Sequence, residues 1–248
     1  MRTATAIKWL QRWDAQQERY VPDREERFRV VIDVVRAATA GGSASVVDLG
    51  CGPGSLSQRL AAALPGARIV GVDADPLLLG LGSANTGSRV RLVEADLATP
   101  DWPAATELPG PWDAAVSSTA LHWLSVDALA ELYRTLAANL RPGGVFVNAD
   151  HMGLRSPSLD AIADAVRQER TRRVGTHENE EWAAWWQALQ ADEELAPLVT
   201  ARSKRAIAHS NENGLSIVEQ VQLLRDAGFA EAGPVWQFGD DHVLVAVR

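Results

Sequence analysis

Short apolar runs alternate with amphipathic stretches along most of the chain. The runs are "ASVVDL" at 44–49, "ARIVGVD" at 67–73, "RVRLVEAD" at 89–96, "PWDAAVSSTA" at 111–120 and "VFVNAD" at 145–150. They are short, rich in valine and bounded by Gly, Pro or Asp, as strands covered on both faces are. Helical patterns separate them: "LSQRLAAAL" closed by Pro65-Gly66, the short "PLLLGLGSA", and "SVDALAELYRTLAANL", with Ser125 as cap and Arg141-Pro142-Gly143-Gly144 as stop. Two further helices come first. One spans 4–20 with Trp9 and Trp13 a turn apart; the other opens at Pro22 and stops at Gly41-Gly42. After Asp150 the alternation breaks, and residues 151–210 hold helical stretches such as "EEWAAWWQAL" but no good strand. It returns with the helix "SIVEQVQLLRDAGF" and the strands "GPVWQFG" and "HVLVAVR", joined by a tight turn at Asp240-Asp241.

This order predicts an α/β fold with a doubly wound, mostly parallel sheet. Its core is expected at 44–150 and 211–248, with N-terminal helices at 1–43 and a helical cap inserted at 151–210. A chain of 248 residues is long enough to bury a full core without staples. The net charge of −8 leaves no basic footprint for nucleic acid. Cys51 is the lone cysteine, so no internal disulfide forms, which suits a cytoplasmic setting. The N-terminal stretch lacks a secretory pattern, and no run of 18 apolar residues predicts a membrane span.

The chemistry begins at "VVDLGCGPGS", residues 46–55. An apolar strand, a glycine turn and a helix together present backbone N–H groups to a polar ligand. The dinucleotide fingerprint is G-x-G-x-x-G. Here the glycines are Gly50, Gly52 and Gly54, and Ser55 follows, so the third dinucleotide glycine is absent. Asp48 sits two residues before the turn, where a carboxylate suits a cationic amino-acid moiety better than a pyrophosphate.

Asp48-Leu49-Gly50-Cys51-Gly52-Pro53-Gly54 resembles the first motif of the class I S-adenosylmethionine (SAM)-dependent methyltransferases. Asp73 in "IVGVDAD", Asp96 in "LVEADL", the "LRPGGVF" turn and the terminal hairpin fall where that family has its counterparts. "STALHWL" and the Trp-bearing insertion look like its trans-aconitate-methyltransferase-like, small-molecule branch. The resemblance implies a seven-stranded sheet, SAM as cofactor and S-adenosylhomocysteine (SAH) as product. It implies cofactor contacts from Asp48, Gly50, Cys51, Gly52 and Gly54, ribose binding by Asp73 beside Ala74, adenine binding at Asp96 and Leu97, and a contact from Ser118.

Ligands of doubly wound sheets lie beyond the C-terminal strand ends. There the sequence offers His122 and His151, each a candidate base for an acceptor that must lose a proton. Each also reads as a structural histidine. Tyr20 and Arg24 or Arg27 are placed to close over the pocket, with Trp123, Trp182 and Trp186 as acceptor walls. Trp182, Trp185 and Trp186 share one helix face, which serves equally to anchor the helix or to roof a planar substrate. The more basic "QERTRRVGTHE" reads as a solvated helix end or an attraction for an anionic acceptor. No metal site is expected, because acidic residues are missing after the fourth strand and His and Cys are scattered. The expectation is methyl transfer to the O, N or carboxylate of a small molecule by a monomer or homodimer. The rivals are a NAD(P)-dependent oxidoreductase, a non-catalytic SAM-binding subunit and, more weakly, methylation of protein or nucleic acid.

Overall fold

The structure, a computed structural model, describes residues 1–40, 42–85, 89–205, 207 and 213–248. Seven strands alternate with helices as the hydrophobic pattern predicts. They are β1 (Ser45–Leu49), β2 (Arg68–Asp73), β3 (Val90–Glu94), β4 (Trp112–Ser118), β5 (Leu140–His151), β6 (Glu231–Phe238) and β7 (Asp241–Val247). They form one sheet in the order β3-β2-β1-β4-β5-β7-β6, parallel except for β7, which runs antiparallel to both neighbours. The order reverses between β1 and β4, and a crevice opens beyond such a switch point.

The helices are α1 (Thr3–Tyr20), α2 (Arg24–Thr39), α3 (Ser55–Ala63), α4 (Pro76–Ser83), α5 (Trp102–Ala105), α6 (Val126–Asn139), α7 (Pro157–Val174), α8 (Trp182–Gln190), α9 (Ala196–Ser203) and α10 (Ile217–Asp226). Alternate strand residues feed two cores, as the pleat requires. Val47, Val72 and Phe146 pack with Leu132 and Leu136 of α6 and Leu224 of α10. Val46, Ile69 and Val147 pack with Phe28 and Val31 of α2 and Leu60 of α3. Each fully buried side chain of this kind contributes about 1.5–3 kcal/mol. A third cluster joins α1, α4 and α8 through Trp9, Trp13, Leu77, Leu81, Trp185 and Leu189. Trp185 lies edge-on to Trp13 and Trp9, with centroids 5.0 and 5.8 Å away. The Trp9 indole N–H donates to Asp192 Oδ2 at 2.8 Å, fastening the segment after α8 to α1.

Three local expectations need correction. α2 starts at Arg24, because Pro22 lies in the preceding turn and Asp23 takes a left-handed φ of 58° at the cap. The Arg-Pro-Gly-Gly segment belongs to β5, as a shift in its register against β4 absorbs the extra residues. The final hairpin turns at Gly239-Asp240, so Asp241 is already in β7. Gly41 and the 210/211 boundary lie outside the described residues. Among the described residues, no helix is long and apolar enough to cross a membrane.

Candidate active site

β1 ends at Leu49, and the chain must turn at once into α3. Gly50, Gly52 and Gly54 do this with φ of 64, 54 and 83°, values that L side chains resist. At Gly50 there is also no room: a Cβ would meet Ala120 Cβ at 2.4 Å. The turn is braced from β2. Gly52 N–H donates to Asp73 Oδ2 at 2.7 Å, and Asp75 N–H donates to Oδ1 at 2.8 Å. Each carboxylate oxygen keeps further accepting capacity. Burial pushes the Asp73 carboxyl up to about 6, against the pull of the Asp75 and Gly52 amides.

Gly50, Cys51, Gly52, Asp73 and Ala74 border a cavity of about 820 Å³, and Asp96, Leu97 and Ser118 extend its wall. Two expected contacts do not border it. Asp48 is 1% exposed, accepts from Ser57 Oγ at 2.6 Å, and ties β1 to α3. Burial raises its carboxyl to about 7, which the Ser57 hydrogen bond only partly opposes. Gly54 donates its N–H to Cys51 O at 2.9 Å and caps α3. Both shape the turn from behind. Burial, with Asp73 and Asp48 nearby, pushes the Cys51 thiol well up, so it is no nucleophile.

The ends of β4 and β5 supply the opposite wall. Ser117 Oγ points back to Leu49 O at 2.8 Å, whereas Ser118 faces the cavity. Arg27, fully buried, holds Ser118 Oγ at 2.9 Å and Asp241 Oδ1 at 2.8 Å. Thr119 follows with a φ of 52°, costly for a β-branched residue and typical of functional loops. A 3₁₀ turn, Leu121–Trp123, then presents His122 to the cavity. Its Nδ1 lies 2.9 Å from both oxygens of the buried Asp150. Burial alone would raise the Asp150 carboxyl, but the charge and hydrogen bond of His122 outweigh it and hold it low. His151 borders the same space, with Nδ1 3.4 Å from Asp240 Oδ2.

The remaining wall comes from α1, α2 and α8. Tyr20, Arg24, Trp123, Trp182 and Trp186 all border the cavity. Tyr20 accepts the Trp182 N–H at 3.0 Å. Arg24 pairs with Asp14 at 2.8 Å and lies over the Phe28 ring. The α8 tryptophans divide their work: Trp185 anchors, the partly buried Trp182 faces the cavity, and Trp186, buried in the same cluster, does both. Two arginines of the basic run are paired, Arg170 with Asp23 and Arg172 with Glu169. Sequence reasoning missed Asp150, Asp240, Arg167, Trp13 and Gln17. Of these, Asp150 stands beside His151 in "NADH", the one local signal available.

Residues 46–144 match the family described as methyltransferase domain. A trans-aconitate 2-methyltransferase of Azoarcus sp. is 36% identical over 135 residues, which are 54% of this chain and 48% of that one. Its counterpart in Methylobacterium nodulans is 34% identical over 182 residues, 68% of this chain and 66% of the relative. The matches thus span about half to two thirds of the curated relatives' length. Magnesium protoporphyrin IX methyltransferase from Synechocystis, solved with bound SAH, superposes with a TM-score of 0.54 at 18% identity, over 91% of this chain and 83% of that one. At that identity it speaks for the fold. The glycine turn, the braced Asp73 and these likenesses agree: the chain belongs to the class I S-adenosylmethionine-dependent methyltransferases.

Proposed function

We propose that the chain transfers a methyl group from SAM to a small-molecule acceptor. The observation that carries this is Asp73, a half-buried carboxylate braced on both oxygens by amides of the turn and open to the cavity. Such a group suits a pair of ribose hydroxyls, and the bare turn beside it suits close approach of a nucleoside. Asp96, exposed at the cavity rim, and Leu97 would receive the adenine. Ser118, fixed by Arg27, would meet the amino-acid end. When bound, the sulfonium supplies an activated methyl group to a nucleophile aligned behind it.

The chain's own residues do the rest. Asp150 fixes the tautomer and orientation of His122, so a proton leaving an acceptor goes to Nε2, and the resulting imidazolium is balanced by the buried carboxylate. Trp182 and Trp186 exclude water from the acceptor side. Residues 151–210 act as a helical cap over the 44–150 and 211–248 core, a role supported by the cavity-facing Arg167, Trp182 and Trp186. The single buried cysteine suits a cytoplasmic setting.

Calorimetric titration with SAH tests the reading directly. Wild-type chain should bind it, and Asp73→Ala should not bind measurably at the same concentrations. A well-folded chain that ignores SAH, or a variant that binds it unchanged, refutes the assignment.

A further inference from the structure

Asp75 follows Asp73 on the loop after β2 and borders the same cavity. It is 5% exposed. Its Oδ1 accepts from the Leu77 N–H at 2.9 Å and caps α4. Its Oδ2 accepts from Arg202 Nε of α9 at 2.6 Å. Its own N–H is one of the two amides that brace Asp73. One residue thus joins the start of α4, the Asp73 carboxylate and a side chain 127 positions away.

α9 delivers Arg202 because it lies close against α4. Gly80 leaves the room: a Cβ there would meet Leu198 Cδ2 at 2.6 Å. Leu195, just before α9, is fully buried in one cluster with Leu77 and Leu81. The Arg202 guanidinium then lies over the Trp186 ring, 4.3 Å from its centroid. Stacking on an indole fixes the plane of the fork, which aims Nε at Asp75. Trp186 and Asp75 both border the cavity, and Arg202 stands behind both.

Charge gives the pair its consequence. A buried carboxylate is costly without a partner, and Arg202 supplies one for Asp75. The Asp75 charge also lies beside Asp73 and pushes the Asp73 carboxyl up. The elements around Asp73 carry further groups. Asp48 and Cys51 belong to β1 and its turn. Glu94 stands opposite Asp73 in β3, paired with Arg205, and Asp96 follows. Arg24 of α2 is paired with Asp14 of α1.

We propose that Arg202 is a positioning residue for the cofactor: from α9 it holds Asp75, sets the amide that braces Asp73, and offsets the like charge beside it. This rests on the methyltransferase reading, in which Asp73 takes the ribose. Through this side chain α9 takes part in cofactor binding from outside the cavity.

Calorimetric titration of SAH from pH 5 to 8 tests this on the wild type, Arg202→Ala, Arg202→Lys, Asp75→Asn and the variant carrying both Arg202→Ala and Asp75→Asn. At neutral pH Arg202→Ala should bind SAH about tenfold more weakly, as the loss of one hydrogen bond between charged groups implies. Its loss of affinity toward acid should set in at a higher pH than in the wild type, because an unpaired Asp75 makes Asp73 hold its proton more tightly. Arg202→Lys keeps the charge, and should keep the wild-type profile and most of the affinity. Asp75→Asn still caps α4 and removes the like charge, so its acid loss should set in at a lower pH. Adding Arg202→Ala to it should cost little more, since the partner is already gone. An α9 that serves only as an anchor would give weaker binding with unmoved profiles.

Three results overturn the proposal: an Arg202→Ala chain that binds SAH within about twofold of the wild type, a profile that does not move in it, or additive losses in the double variant. If Arg202→Ala does not fold, Asp75→Asn decides, and an acid loss that stays where the wild type has it overturns the proposal. A well-folded wild type that does not bind SAH sinks the methyltransferase reading and this proposal with it, whereas each result above leaves that reading standing.

Discussion

The two sides of the cavity are built in different ways. On the cofactor side the parts are neighbours in sequence: the turn at Gly50–Gly54 and Asp73 belong to two successive strand ends, and the donors are backbone amides. On the acceptor side every working pair is assembled across the chain. Trp13 meets Trp182, His122 meets Asp150, and Asp240 meets Arg167. A surface of main-chain amides survives most side-chain changes, whereas a surface of side chains is rewritten by one substitution. The acceptor side is therefore where a chain can depart from relatives that share its turn.

The sharpest way to break this comparison is to remove a side chain from the acceptor side and watch the cofactor side. His122→Ala should slow methyl transfer to a hydroxyl acceptor by about 10²–10⁴-fold, the usual contribution of a positioned base. SAH affinity should change little. Asp150→Asn should act in the same direction through the orientation of His122, and move the pH profile of the rate. Single-turnover transfer measured beside SAH titration gives both numbers. If His122→Ala costs cofactor affinity instead of rate, the two sides are not separate.

Trp185→Ala comes next. This indole is fully buried between Trp9, Trp13 and Trp186, so its loss should cost about 3–5 kcal/mol of stability. Trp182 borders the cavity and is only partly buried, and Trp182→Ala should show mainly as weaker acceptor binding. Denaturant melts of the two variants separate anchor from wall. Equal destabilisation would mean that the tryptophan face has a single, structural role.

The same contrast explains what the sequence made legible. The strand–turn–helix at 44–64 could be read because its signals are consecutive: valines, then glycines, then a helical period. The end of β5 could be read as a strand, but nothing in "VFVNAD" reveals that Asp150 will lie under a histidine 28 residues earlier. At Asp48 a carboxylate beside a glycine turn reads as a ligand contact, whereas in the fold it is turned inward onto Ser57. Trp182, Trp185 and Trp186 share a helix face, and periodicity cannot say which of them points past that face into a cavity. Asp240-Asp241 reads as the turn in sequence, yet the hairpin turns one residue earlier, because Gly239 supplies the positive φ that the turn needs.

A smaller effect separates the two aspartates of the cofactor side. Asp73→Ala removes a carboxylate placed to accept two hydroxyl hydrogen bonds and should weaken SAH by about 100-fold. Asp48→Asn keeps a side chain of the same shape beside Ser57, away from the cavity, and should change affinity by only about two- to threefold. Titration calorimetry on both variants sharpens the comparison. A large loss from Asp48→Asn would place that buried group in ligand binding after all.

The smallest expected effect is that of pH, and it has two signs. Asp73 titrates near 6 and Asp48 near 7 in the fold, against an ordinary carboxyl at 3.8. Between those values the folded chain holds protons that the unfolded chain has lost. The stability these groups contribute is therefore present at acid pH and drains away as pH rises through about 6 to 7. Cofactor binding runs the other way, because ribose hydroxyls donate to an ionised carboxylate. SAH affinity should be flat above about pH 7 and fall by up to about tenfold per unit below 6. Thermal melts from pH 5 to 8, with and without SAH, test both signs together: the rise in melting temperature on adding SAH should grow with pH and level off. Asp73→Asn, which cannot ionise, should lose that growth while other titrating groups keep theirs. A wild-type response that is flat across this range would mean that the Asp73 carboxylate does not grip the ligand.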